Sequence, residues 1–366
     1  MSTEFKEVKK NFGFGCMRLS MNGDNVDYDE FNRMIDAYIN AGFNYFDTAH
    51  CYIEGKSETA IRDCLAKRYP RDAYILANKL SSPYFEKEED IIPLFEQQLS
   101  LCGVDYFDFY LFHALERNNY NQYKNCNAFA VVQKLKQQGK IRHIAMSFHD
   151  TADVLDTILT ENPCIEAVQL MINYLDYDDP GVQSKACYDI AVKHGKKVIV
   201  MEPVRGGALV DLPAEGAKVL DELNGGSYAS YALRYAASYP EVFMVLSGMG
   251  NMDMMNDNIK TMADFIPLNE DELAATDKVR EIIRKVRQIK CTGCEYCIES
   301  CPKKIKIPKI FAVYNTFLSA KATFAEAKKD LPDGASDCIK CGMCEKMCPQ
   351  HIEIRKQLEN IANEMK

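Results

Sequence analysis

Between Asn11 and Ile266 short apolar runs alternate with helix-like segments eight times, and no other feature of the chain restricts its fold as much. The runs are "FGFGC", "FNYFDTA", "AYILANKL", "FDFYLFHAL", "RHIAMSF", "EAVQLMIN", "KKVIVMEP" and "VFMVLSGM". Most are nearly continuous rather than alternating, as expected for parallel strands covered on both faces. Segments such as "EFNRMIDAYINAG", "IIPLFEQQLSLCG" and "MDMMNDNIKTMA" lie between them with helical periodicity. Eight strands and eight helices in strict alternation fit a closed α/β architecture, the (β/α)8 TIM barrel, over residues 1–266. An open doubly wound sheet would carry a glycine-rich fingerprint after its first strand. Here "GFGCMR" offers only Gly13 and Gly15, with Arg18 at the third glycine position.

At 366 residues the chain has room for one such barrel and a small second module. A net charge of -9 argues against nucleic acid as a partner, because phosphate contacts need clustered Lys and Arg. The opening "MSTEFKEVKK" has no apolar core, and no run of about 18 apolar residues follows, so a membrane span is not expected and the cytoplasm is. Fifteen cysteines in a reducing compartment are a poor disulfide framework. Seven of them (Cys16, Cys51, Cys64, Cys102, Cys126, Cys164 and Cys187) are scattered and read as small buried hydrophobes. The other eight form two runs near the C-terminal end.

Barrel active sites lie at the C-terminal ends of the strands. Asp47 closes the second strand, Lys79 the third and His113 the fourth, with Tyr52 in the loop after Asp47. Taken singly these are compatible with a cap, a solvated cation, a satisfied core histidine and a packing ring. Together they suit carbonyl reduction. A phenol near pKa 10 is a poor acid at neutral pH, but an adjacent ammonium stabilises the phenolate. Lys79 would do this for Tyr52, Asp47 would hold Lys79, and His113 would orient the carbonyl oxygen while Tyr52 hands over the proton.

The motifs "GFGCMRL", "FDTAHCYIEGKSE", "NKL", "LFHAL", "QGKIRHIAMS" and "DNIK" make residues 11–266 resemble an aldo-keto reductase. The resemblance implies a (β/α)8 oxidoreductase that reduces a small-molecule aldehyde or ketone with NADP or NAD. It implies Asp47, Tyr52, Lys79 and His113 as the catalytic tetrad. It also groups Ser147, Gln169, Met201, Ser247 and Asn258 with the cofactor, Ser147 and Gln169 at the nicotinamide carboxamide. Phe148 stands where the family has Asn, and Met201 where it often stacks a Tyr. The family's cations for a 2'-phosphate fall near Gly248 and Met254. Gly206, Gly207, Gly248 and Gly250 follow the seventh and eighth strands, where barrels commonly hold a phosphate, so FMN would also satisfy these features.

After a charged helical segment beginning near Pro267, "CTGCEYCIESCP" and "CIKCGMCEKMCP" each read C-x2-C-x2-C-x3-C-P. Zinc closes with four N or S ligands, commonly as two spaced pairs. Three cysteines at successive three-residue spacing and a fourth before Pro better suit an iron-sulfur cube. Residues 267–366 resemble a two-cluster bacterial-type ferredoxin, in which the fourth cysteine of each run serves the other cluster. That implies one [4Fe-4S] centre on Cys291, Cys294, Cys297 and Cys348. A second falls to Cys338, Cys341, Cys344 and Cys301. The long insert between the runs has helical composition, which favours a small, mostly helical ferredoxin-like iron-sulfur domain.

Clusters move single electrons and nicotinamides move a hydride, so a relay between them calls for a flavin. The readings are a nicotinamide-dependent reductase with structural or sensing clusters, an electron-transfer enzyme served by a ferredoxin-like partner, and a non-catalytic iron-sulfur carrier. The complete tetrad favours the first.

Overall fold

The structure, a computed structural model, describes residues 5–223, 225–286, 288–319 and 321–365. The chain divides into two compact units: Met1–Pro203 with Ala229–Asn269, and Val204–Tyr228 with Glu270–Lys366.

The first unit is a closed parallel barrel. Its strands are β1 (Phe12–Gly15), β2 (Tyr45–Asp47), β3 (Ile75–Ser81), β4 (Phe107–Leu115), β5 (Ile141–Phe148), β6 (Ala167–Met171), β7 (Lys197–Met201) and β8 (Val242–Gly248). They pair in chain order, and β1 closes the ring between β8 and β2. Each falls on one of the apolar runs read from the sequence, with β3 and β5 extending one residue beyond theirs, to Ser81 and from Ile141.

Tyr45, Ala77, Phe109, Leu111, Ala145, Ala167 and Ile199 form one buried cluster with Phe5. The Phe5 ring sits 5.1 Å from Phe109 and 4.6 Å from Phe243, so it closes the barrel at the N-terminal ends of the strands. Gly13 is glycine because a Cβ there would lie 2.6 Å from Leu246 Cδ2 and 2.8 Å from Met244 Sδ.

Besides the helix Ala214–Asp221 ahead of Tyr228–Ala237, two further elements depart from the simple alternation. A short antiparallel ribbon, Met21–Asn22 with Asn25–Val26, follows β1. A helix at Arg117–Asn125 precedes the expected one at Ala128–Gln137. Its sequence "RNNYNQYKN" has poor helix propensity, and burial of Tyr120 and Tyr123 on one face overrides that preference.

The second unit contains helices and, among the described residues, no strand. Ile307–Leu318 and Ile354–Glu364 build its core through Ile310, Phe311, Tyr314, Leu358 and Ile361. Asn315 ties the segment before the first cysteine run to that core, accepting from Ile289 N–H and donating to its carbonyl, both at 2.8 Å. The sequence reading placed a single cut at 266/267. The contact division falls at Asn269/Glu270 and adds Val204–Tyr228, whose helix Ala214–Asp221 packs on Glu270–Lys285. No helix among the described residues is long and apolar enough to cross a membrane.

Candidate functional site

The barrel places Asp47, Lys79 and His113 at the C-terminal ends of β2, β3 and β4, all buried. Parallel pairing sets Ser81 beside His113 and brings Asp47 level with Ala77. Lys79 Nζ lies 2.5 Å from Asp47 Oδ1 and donates to the Thr48 carbonyl at 2.8 Å. It also stands 4.7 Å from the centre of the Tyr52 ring. The Tyr52 and His113 rings meet edge to face, 6.1 Å apart. All four tetrad side chains named from the sequence therefore form one cluster.

Burial raises the Asp47 carboxyl above its ordinary value, and Lys79 opposes that shift. Burial, then the charge of Lys79, then His149 hold His113 well below its usual range, so its ring is neutral. Ser81 Oγ lies 2.6 Å from His113 Nδ1 and fixes the ring's rotation. Tyr52 itself is carried on a strained loop, where Ile53 and Glu54 have φ of 53° and 54°. A β-branched residue there is costly, by about 1–3 kcal/mol.

Behind Lys79 lies a buried polar network that sequence reasoning did not find. Glu58 accepts from Asn78 at 2.8 Å and pairs with His50 Nδ1 at 2.6 Å. Asn78 in turn accepts from the Lys79 N–H at 2.8 Å. Cys16, Cys64, Cys102, Cys126 and Cys187 are buried, and Cys51 and Cys164 half-buried, in keeping with a packing role.

The cofactor candidates separate into two groups. Ser147 and Gln169 are register partners on β5 and β6. Ser147 Oγ accepts from Ala114 N–H at 2.7 Å, which leaves its own proton to donate elsewhere. Gln169 Oε1 and Asp47 Oδ2 are buried acceptors without a hydrogen-bond partner among the described residues. A buried acceptor left unmet suits a ligand amide. Met201 ends β7, half-buried, while Phe148 is buried at the end of β5. Asn258 donates to Ser247 Oγ at 3.1 Å and ties β8 to the helix Met252–Ala263. Gly248 and Gly250 lead into that helix, and the Arg18 side chain lies along Gly248, so that a Cβ would sit 3.4 Å from it. Arg18, which in the sequence only broke a glycine fingerprint, is thus a cation at this rim.

Gly206 and Gly207, read as phosphate-binding glycines, fall in the second unit instead. Gly206 has φ of 63°, and a Cβ on it would lie 2.0 Å from the Thr292 carbonyl oxygen. Close approach to the first cysteine run explains this glycine without a phosphate.

The eight cysteines surround two cavities. Cys291, Cys294, Cys297 and Cys348 line one, and Cys301, Cys338, Cys341 and Cys344 line the other. These are the crossed sets expected of a two-cluster ferredoxin. Burial, then Cys294, Cys291 and Cys348, push the Cys297 thiol up. Burial foremost, with smaller contributions from Glu345, Cys338 and Cys301, pushes Cys344 up to about 11. Among the described residues no three His, Cys, Asp or Glu side chains converge as ligands of a single metal ion would.

Residues 11–281 match the aldo/keto reductase family, and residues 290–353 match the 4Fe-4S dicluster domain. The chain is 24% identical to the uncharacterized oxidoreductase YqkF of Bacillus subtilis, over 72% of its own length and 90% of the relative's. Its fold resembles aldo-keto reductase AKR11C1 from Bacillus halodurans, with a TM-score of 0.61 at 23% identity over 74% of this chain and 92% of that one. An aldo-keto reductase from Klebsiella pneumoniae in complex with NADPH also has a TM-score of 0.61, at 19% identity over 75% of this chain and 95% of that one. A closed eight-stranded barrel and a family match over most of its length make this chain an oxidoreductase of the aldo/keto reductase family, extended by a C-terminal 4Fe-4S dicluster domain.

Proposed function

We propose that the barrel reduces an aldehyde or ketone, with Tyr52 as proton donor. The observation that carries this is Lys79, which faces Asp47, the Thr48 carbonyl and the Tyr52 ring at once. A bound nicotinamide nucleotide supplies the hydride. A neutral His113 has no proton to give up as an acid at pH 7, which leaves Tyr52 for that task. With Ser81 donating to Nδ1, His113 Nε2 carries the ring proton and would donate it as a hydrogen bond to the carbonyl oxygen. Lys79 stabilises the tyrosinate left behind, and Asp47 keeps Lys79 in place.

Ser147 and Gln169 would hold the nicotinamide carboxamide, the first as donor and the second as acceptor. Gly248, Gly250, Ser247, Asn258 and the start of Met252–Ala263 would receive the phosphates. Cys291, Cys294, Cys297 and Cys348 would hold one [4Fe-4S] centre, and Cys301, Cys338, Cys341 and Cys344 another; such centres carry single electrons. The test is anaerobic oxidation of NADH or NADPH in the presence of a carbonyl compound. Tyr52→Phe should abolish it with iron content unchanged, and retained turnover would remove Tyr52 from this role.

The alternative is a ferredoxin-linked enzyme that binds a flavin such as FMN in the barrel. Met201 in place of a stacking ring and the two cysteine cavities favour it. Reversible bleaching of the iron-sulfur absorption by NAD(P)H alone, with flavin in the purified protein, would support that reading over the first.

A further inference from the structure

We propose that the edge of the second cysteine cavity docks an acidic protein that carries single electrons. The proposal deepens the electron-transfer side of the reading above, and rests on a cubane centre being held by Cys301, Cys338, Cys341 and Cys344.

The two cavities differ in ways that their ligand pattern does not require. Among the described residues no charged side chain lines the first, which is walled by residues such as Ile307, Phe311 and Ile354. The second has Lys303 and Arg355 in its wall, together with Ile339. Of the fifteen cysteines only Cys341 is exposed. Around it Ile339 is 57%, Met343 46% and Met347 38% exposed. Three large apolar side chains turned to solvent beside an exposed cluster ligand call for a covering partner, and Met is well suited to adaptable contacts.

Charge identifies the partner's sign. Lys303, Lys304, Lys306 and Lys309 are all exposed, with no acidic residue between Cys301 and Ile310. Lys340 and Lys346 flank Cys341 and are exposed too; Lys340 donates to Glu359 Oε1 at 2.8 Å, which leaves Lys346 and the Lys303–Lys309 group as the main basic charge. Glu345, the acid within this run, accepts from Arg355 Nε at 2.8 Å. A basic rim of this kind on a chain of net charge -9 attracts an acidic surface and speeds its encounter. An apolar centre within a charged rim is the anatomy of a protein interface. On docking, the reduced carrier would give one electron to the [4Fe-4S] centre that Cys301, Cys338, Cys341 and Cys344 would hold, with no bond made or broken.

The test uses the iron-loaded full chain under anaerobic conditions, with an acidic bacterial ferredoxin as probe. Binding is measured by calorimetry at ionic strengths of about 0.02 M and 0.3 M, between which screening shortens severalfold. We expect affinity to fall about tenfold with salt, and again by about tenfold in the double variant Lys303→Glu with Lys346→Glu, iron content unchanged. No binding at low salt, equal binding by the variant, or tighter binding to single-stranded DNA than to ferredoxin would each overturn the proposal. Carbonyl-dependent NAD(P)H oxidation is followed on the same samples. Docking without reduction defeats the reductase reading alone, and reduction without docking defeats this proposal alone.

Discussion

Lys79 Nζ lies 2.5 Å from Asp47 Oδ1, and both side chains are almost fully buried. Lys79→Met leaves that carboxylate without a counter-charge, and we expect a loss of about 3–5 kcal/mol in stability together with loss of activity. Burial raises the Asp47 pKa and Lys79 opposes it, so in the variant the folded-state value rises further above the unfolded one. The folded chain then keeps a proton that the unfolded chain has released. Stability of the variant should therefore fall as pH rises through the carboxylate range, as urea melts from about pH 4 to 7 would reveal.

His113 has the opposite sign. Its folded-state pKa is depressed, chiefly by burial, so the unfolded chain takes up protons first as pH falls below about 6.5. Its contribution is complete above that value and is lost on acidification, at up to about 1.4 kcal/mol per pH unit. His113→Gln should flatten this part of the stability profile between about pH 6.5 and 5. His143, whose burial is outweighed by Glu166 and Glu7 so that its pKa is raised, is common to both proteins and drops out of the difference.

Gly206→Ala separates two meanings of that glycine. Its Cβ would meet the Thr292 carbonyl oxygen, an immovable backbone atom beside Cys291. We expect lower iron content and a less stable second unit, with nucleotide affinity unchanged. For Gly248→Ala the nearest atoms belong to the Arg18 side chain, at 3.4 Å, and the variant should instead weaken nucleotide binding. Iron assay and fluorescence titration of both variants would decide; weakened nucleotide binding in Gly206→Ala with full iron would restore the phosphate role.

Met254 is 51% exposed in the first turn of the helix Met252–Ala263, next to Asp253. Neither residue offers a cation to a 2'-phosphate. Met254→Arg should lower the KM for NADPH about tenfold, in line with one charge-assisted hydrogen bond, and leave that for NADH nearly unchanged. Steady-state kinetics with both nucleotides provide the check.

The barrel was legible because strands buried on both faces must be written as apolar runs, and polar residues ending them stand out. That Asp47, Tyr52, Lys79 and His113 gather and that the cysteines fall into two groups was legible for a similar reason: the resemblances supply their spacing. Ser81, Glu58 and Arg18 were not, since their roles depend on which strand lies beside which and how a loop returns. The helix at Arg117–Asn125 was hidden by its asparagines, and Gly206 was assigned by position in the barrel although its neighbour is Thr292, far along the chain.

The path of the chain between its two units carries a consequence for biosynthesis. It enters the second unit at Val204, returns to the first at Ala229 and leaves again at Glu270. On the ribosome, Val204–Tyr228 therefore emerges before β8 can close the barrel and before any cysteine of either run exists. Neither unit is finished when the other begins, so iron loading has to be among the last events in maturation. A gene fusion or truncation at residue 267 would strand Val204–Tyr228 without the helices it packs on, and the iron-sulfur part is not a module that exchanges by a single cut.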